Sequence, residues 1–473
     1  MKSARRRSRR SAARRGARRA AVTLTLAILP LLVLTAEAQA YVPGQLIWAK
    51  RIGTSAGEAA SWAVAGGPGG VVTIAGWQSV APTGQIPMVA RFTAGGGKWV
   101  RRYPVLGNGH AEDVAVDKAG NVYVAATIDQ RAGDIVVLKH DAAGAFQWAT
   151  EPYDGTGGGS PDAAREIAVD GAGNVAVAGI SVVNGTGLPG IVVLKYDHDG
   201  TMMWANPGGI FPSPGDPNGG AYSVNDLALG GAGDLYVAGS QRYRVGGVWR
   251  HYAVVFKFRS GDGAFGNSSG YKFGSEQVST FESLAVRDYR VAAVGSAWSD
   301  AADRERALVA NYDLNLAPHR SREWVAGGAA QEWFGDVALD AKGNVYIAGD
   351  QWVAGTWGKT VTMKLNWSLA KILWKATYYP ASKDAEAWYI ARDSLGNVYV
   401  SGVKNGHVGR AAFLTLKYSP TGARKWVKSW SGGGPGDSEP AGIVLGAKGD
   451  LFVGGEATAK GDVLQAVCLR YKR

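Results

Sequence analysis

Apolar and polar residues alternate in short runs along nearly the whole chain. Each run covers four to six positions, the period of a strand buried on one face. One phrase recurs: DVAVDKAGNVYVAAT at Asp113, EIAVDGAGNVAVAGI at Glu166, DLALGGAGDLYVAGS at Asp226, DVALDAKGNVYIAGD at Asp336, YIARDSLGNVYVSGV at Tyr389 and GIVLGAKGDLFVGGE at Gly442. Looser copies begin at Trp62 and Ser283. A second phrase follows each copy, as in DIVVLKHDAAGAFQWAT from Asp134 and GIVVLKYDHDGTMMWAN from Gly190. Each unit therefore holds four strands joined by tight turns, in which Asp caps the turn and Gly takes its left-handed position. Eight such units predict an all-β fold, an eight-bladed β-propeller of four-stranded antiparallel blades.

The ends of the repeat predict how the ring closes. The last unit stops at its third strand, AVCLRYKR. A Trp-bearing fourth strand, GQLIWAKRIG from Gly44, precedes the first complete unit. Pairing Leu46–Ile52 beside Val467–Tyr471 completes the last blade with the N-terminal strand and removes two open sheet edges. Fourth-strand tryptophans are expected at Trp48, Trp99, Trp148, Trp204, Trp324, Trp374 and Trp426, with none in the segment near Phe265. Their recurrence once per blade points to packing between blades.

Residues 1–40 stand apart. A segment with one Lys and nine Arg is followed by an apolar run and by Ala38-Gln39-Ala40. That order reads as a secretory signal peptide, leaving 41–473 as one exported propeller domain, in the periplasm, at the cell surface or secreted. The whole chain carries 51 basic and 39 acidic residues. Ten of the basic and one of the acidic residues fall within 1–40, so the remainder has a net charge of only +3. The high overall charge is thus no argument for nucleic-acid binding. A single cysteine, Cys468, excludes an internal disulfide.

Local chemical motifs fail on context. Gly53–Gly57 spells G-x-S-x-G without a following helix, and Gly185–Gly190 spells G-x-G-x-x-G before a strand. Asp197–Thr201 reads as a hairpin turn rather than a calcium loop. No two of the six histidines form a short-range metal pair, so neither a metal nor a cofactor is expected. Two sets of candidate residues remain. Acidic residues precede the first strand of many blades: Glu58, Glu112, Asp162, Glu332, Asp384 with Glu386, and Asp437 with Glu439. They are expected near the mouth of the central channel, either capping loop amides or holding a cation or basic partner. Aromatic residues lie in the connections between second and third strands: Trp77, Tyr243, Trp249, Trp298, Trp352 and Trp357. These are candidates for stacking on a glycan or a protein.

The phrase G-x-D-x-A-x-x-I-A-V-D-x-x-G-N-V-Y-V-A-G resembles the bacterial SBBP β-propeller repeat. Ser160–Gly179 matches it, with Asp162 at the acidic position. The likeness covers nearly all of 41–473 and speaks to fold far more than to activity. The K-Y-D-x-x-G-x-x-x-W segment is also similar to quinoprotein-type repeats and to outer-membrane assembly scaffolds. The first would be expected to carry a vicinal cysteine pair and the second a lipid-modified cysteine. Neither is present, since Cys468 stands alone. The expectation is a monomeric, non-catalytic protein- or glycan-binding module acting through the long-loop face, with no transmembrane segment. The alternative is a glycan lyase or hydrolase using carboxylates at the channel mouth.

Overall fold

In the computed structural model the described residues are 42–473 apart from 55–56, 82–83, 130–132, 156–160, 183–188, 207–221, 246–247, 272–276, 300–303, 325–330, 353–357, 382–383, 408 and 447–448. Residues 1–40, read above as a leader, lie outside them, as does Trp357.

Among the described residues thirty-two strands form eight separate four-stranded antiparallel sheets, one per blade. The first strands of blades 1 to 8 are Ala59–Gly67, Gly109–Val116, Ala163–Val169, Tyr222–Leu229, Gln277–Arg287, Gln331–Leu339, Ala385–Arg392 and Ser438–Leu445. The last blade is closed as its sequence requires. Leu46–Ile52 pairs antiparallel with Val463–Lys472, placing Leu46 opposite Tyr471 and Ile52 opposite Ala466. At this seam Trp48 sits with its ring centroid 5.9 Å from both Phe92 and Phe452, tying the last blade to the first.

The repeated phrase maps onto repeated contacts. In D-x-x-G-N-V-Y, Asp340 Oδ1 accepts the Asn344 N–H at 2.8 Å, and Oδ2 accepts the Asn344 side-chain amide at 2.7 Å and the Tyr346 hydroxyl at 3.0 Å. Asp117 and Asp393 are held in the same way. Burial opposes ionisation of Asp340, but these donors and Lys364 hold its pKa below the usual carboxylate range. Every first strand carries a bulge facing the second strand. In seven blades a glycine, such as Gly349 opposite Phe334, stands at the bulge, where a Cβ would run into the first strand's backbone carbonyl. Blade 2 has Ala126 there.

The fourth-strand tryptophans are packing residues, but their set differs from expectation. Trp99, Trp148, Trp204, Trp374 and Trp426 each lie over the glycine of the tight turn in the next blade: Gly144, Gly200, Gly263, Gly422 and Gly44. Four indoles donate to a carbonyl of that turn, Trp48 to Ala94, Trp148 to His198, Trp204 to Ser260 and Trp374 to Pro420, at 3.0–3.2 Å. Trp324 does not belong to this ladder. It pairs with Ala307, and the corresponding position in its strand is Arg320, opposite Asn311. The strand without a tryptophan has Asn267 there. After these two blades the turn residue is not glycine but Leu316 or Leu369, each at positive φ.

Blade faces are sealed by apolar side chains. Between blades 3 and 4 these include Val193, Val224, Leu235 and Phe256. Cys468 is fully buried at the seam, and burial pushes its thiol pKa up. We therefore expect no reaction of the native protein with a thiol reagent such as Ellman's, and one equivalent after denaturation. Rapid labelling of native protein would mean that the seam opens. Among the described residues no helix is long and apolar enough to cross a membrane.

Candidate functional site

Strand order sets two unlike faces. The turns between first and second strands and between third and fourth are tight, and lie on one side. The connections between second and third strands, and between blades, lie on the other.

The residue just after each first-strand bulge lies at the wall of the central channel. In order round the ring these are Ala63, Asp113, Glu166, Asp226, Ser283, Asp336, Tyr389 and Gly442. They line a cavity of about 500 Å³ with Trp62, Glu112, Glu282, Trp333 and Trp388. Three carboxylates here link neighbouring blades. Asp113 accepts Val114 N–H from its own strand at 2.7 Å and Ile167 N–H from the next blade at 2.9 Å. Asp226 bridges Leu227 and Leu284, both at 2.7 Å, and Asp336 bridges Val337 at 2.7 Å and Ile390 at 2.8 Å.

The Ser283 hydroxyl lies 2.9 Å from Asp226 Oδ2 and 2.8 Å from Asp336 Oδ1. A hydroxyl has one hydrogen, so one of these contacts needs a proton on the carboxyl. Burial raises all four acidic pKa values, most clearly those of Glu166, which Asp113 and Asp226 push further, and of Asp336, pushed up to about 7.

Beside the channel, on the long-loop side, a cleft of about 430 Å³ is lined by Glu305 of blade 5, Gln331, Glu332, Trp333, Asp350 and Trp352 of blade 6, and Glu386 and Trp388 of blade 7. Trp333 and Trp388 line both cavities. The indoles fix the acids. Trp352 Nε1 donates to Asp350, and Trp388 Nε1 donates to Glu386 Oε2 at 3.0 Å. Burial drives the Asp350 pKa well above the carboxylate range, and the charges of Glu386, Glu305 and Asp384 add to this while the Trp352 bond opposes it. Glu386 is raised by burial as well, against the Trp388 bond and His407.

No protein-family model matches the chain, and no curated protein matches its sequence. Solved structures match it in fold. A protein of unknown function from Dyadobacter fermentans is 10% identical over 91% of this chain and 100% of its own, with a TM-score of 0.43. The β-propeller domain of the Trilobed protease from Pyrococcus furiosus is 9% identical over 79% of this chain and 96% of its own, at 0.42. An ulvan lyase, a polysaccharide lyase, is 9% identical over 74% of this chain and 90% of its own, at 0.44. The likeness is one of fold alone.

The acidic residues marked out in the sequence do not form one ring. Of that set Glu112 lines the central cavity, and Glu332 and Glu386 line the cleft. Four others accept backbone N–H groups, three of them in the connections and one at the start of the strand Val463–Lys472. Glu58 accepts Leu464 N–H at 3.1 Å, Asp162 Gly155 N–H at 2.8 Å, Asp384 His407 N–H at 2.6 Å and Asp437 Ala411 N–H at 2.8 Å. The reason is register: Asp162 and Glu332 stand three residues before the bulge, Glu58, Asp384 and Asp437 four, and Glu112 on it.

The aromatic set is corrected too. Trp77 is not an exposed loop residue. It is 7% exposed, inside the second strand of blade 1, between Ala60 and Pro87. Trp298 is half-buried in blade 5 opposite Glu305, and Trp352 reaches the cleft. Tyr243 and Trp249 face each other's strands in blade 4, with side chains outside the described residues. The cleft tryptophans Trp333 and Trp388 were missed. Their signal was the pair E-W in QEWFGDVAL and E-A-W in AEAWYIAR: Trp333 stands where other blades have small or polar residues, and Trp388 sits on the bulge, where only blade 1, with Trp62, has another aromatic.

Proposed function

We propose that the protein is an exported, non-catalytic binding propeller that holds a glycan in the cleft between blades 5, 6 and 7. The observation that carries this reading is the joint lining of one cleft by Trp333, Trp352 and Trp388 with Glu305, Glu332, Asp350 and Glu386. Indole faces stack on the C–H faces of sugar rings, and carboxylates accept hydrogen bonds from neighbouring hydroxyls. The cleft volume lies within the range of about 300–1,000 Å³ usual for small-ligand sites. Its concentrated negative charge disfavours polyanionic chains and favours neutral or amino-bearing sugars. The export part of the proposal rests on the pattern of residues 1–40.

A glycan array with residues 41–473 tests it. Binding should be to neutral or amino-bearing glycans. Trp388→Ala and Trp352→Ala should each weaken it at least tenfold with little change in melting temperature. Retention of full affinity in both variants, or binding to basic peptides alone, would overturn the reading.

A second reading, cleavage of the bound glycan, is favoured by Asp350. A carboxyl whose pKa burial raises well above the carboxylate range, in the same cleft as a second carboxyl on Glu386, has the makings of a general acid. Release of reducing ends or unsaturated sugars, lost in Asp350→Asn, would put this reading first. Intact glycan after prolonged incubation would retire it.

A further inference from the structure

At the blade 7 edge of the cleft three side chains of different chemistry converge. Asp384 and Glu386 are two residues apart at the start of the first strand, so their side chains share a face. His407 returns to them from the connection after the second strand, which turns at Asn405 with φ +67°. His407 Nδ1 lies 3.0 Å from Glu386 Oε1 and 3.6 Å from Asp384 Oδ1. One ligand atom from each of the three lies within 4.8 Å of the others.

Two further observations separate this group from an ordinary surface ion pair. The Asp384 side chain is 1% exposed, and its Oδ1, turned toward His407, accepts no hydrogen bond. A carboxylate oxygen buried this way carries a desolvation penalty that a nearby imidazole at 3.6 Å offsets poorly. Second, each ligand is already fixed from behind. Asp384 Oδ2 accepts the His407 N–H, Glu386 Oε2 accepts the Trp388 indole N–H, and the His407 ring stands edge-on to Trp352 with centroids 4.4 Å apart. Outer partners of this kind orient first ligands in metal sites.

We propose that Asp384, Glu386 and His407 bind a divalent transition-metal ion, with Zn²⁺ as the reference ion. Metal–ligand bonds of about 2.0–2.2 Å at angles of about 90–109° place neighbouring ligand atoms about 2.8–3.6 Å apart, a range that covers the two distances seen. An imidazole in a set of three ligands favours Zn²⁺ or Mn²⁺ over Ca²⁺, which takes six to eight oxygens. Three protein ligands leave coordination positions for water or a ligand hydroxyl on the side of Glu386 and the cleft. The bound charge would also offset the carboxylates crowded there. The sequence hides the site because Asp384-x-Glu386 and His407 join only across paired strands.

The test uses the untagged 41–473 chain stripped with chelator, titrated with ZnCl₂ by calorimetry and, separately, dialysed and assayed for metal content. One equivalent of Zn²⁺ should bind in the micromolar range or tighter, undisturbed by equimolar Ca²⁺. His407→Gln and Glu386→Gln, both at positions with some exposure, should each lose at least tenfold in affinity while keeping the native circular dichroism. Asp384→Asn should do the same. Absence of Zn²⁺ and Mn²⁺ uptake by the folded wild type, or uptake undiminished in the Gln variants, would overturn the proposal. No glycan enters these measurements, so their outcome is independent of the binding reading above.

Discussion

A chain beginning at Gly53 should fail to form a stable monomer, whereas 41–473 should form one. Removing Leu46–Ile52 strips the ladder from Val463–Lys472, from Leu46 opposite Tyr471 to Ile52 opposite Ala466, and leaves that strand as an open edge. It also removes Trp48 from between Phe92 and Phe452, and Ile52 from the cluster containing Val72, Ile74 and Cys468. Loss of a fully buried large aromatic costs about 3–5 kcal/mol; Trp48 is half-buried and contributes less, and the loss of Ile52 and of the strand ladder adds to it. The bare edge then invites pairing with a second chain. Size-exclusion chromatography and thermal unfolding of the two chains provide the check. A peptide spanning residues 42–54, added in excess, should restore part of the lost melting temperature. A monomeric truncated chain with an unchanged melting temperature would show that the ring does not depend on its seam.

The second large effect is expected at Asp336. Asp336→Ala leaves the N–H groups of Val337 and Ile390 and one contact of the Ser283 hydroxyl without their acceptor. Each such loss costs about 1–3 kcal/mol when buried, less where channel water substitutes, so a total of about 3 kcal/mol is expected from denaturant unfolding.

The pH dependence has a definite sign. The Asp336 carboxyl is pushed up to about 7 chiefly by burial, with bonds from Ile390 and Ser283 opposing and the Asp226 charge adding; its ordinary value is 3.8. Between those values the folded chain keeps a proton that the unfolded chain has lost. Stability from this group is therefore full below pH 3.8 and declines as pH rises toward 7. Because the carboxyl faces the channel, water moderates the effect to about 1–2 kcal/mol. Unfolding the wild type and Asp336→Asn side by side at pH 5 and pH 8 isolates it. The advantage of the wild type should shrink at pH 8. An advantage that grows with pH would mean that Asp336 is ionised throughout.

The blades and their seam were legible because each depends on local pattern: strand period, D-x-x-G turns, and a Trp strand displaced to the start of the chain. The inward carboxylates were in plain view as the first letter of the repeat, Asp113, Glu166, Asp226 and Asp336. Their role was not, because a bulge decides whether such a residue faces the channel or a neighbouring blade. The same bulge scattered the acids expected to form a ring. The cleft was illegible for a different reason. Its walls come from three blades, and Glu305, Asp350 and Trp388 have no proximity along the chain to betray them. Trp324 shows the limit of counting: it has the right residue type in the right strand, four positions from the register that matters.

The tryptophan-over-turn contacts make neighbouring blades dependent on each other's substitutions. Where an indole leans across, the following turn has no room for a side chain; where Asn267 or Arg320 stands instead, the following turn carries Leu316 or Leu369. A repeat array of this kind cannot drift one unit at a time. Gly144→Leu alone drives a side chain into Trp99, while Trp99→Asn alone opens a gap over Gly144, and only the pair of changes recreates a fit the ring already uses twice. Blade order is thereby written into the rim: a copy of blade 5 inserted after blade 2 would present Leu316 to Trp148, so duplication or shuffling of units succeeds only where rim and turn change together.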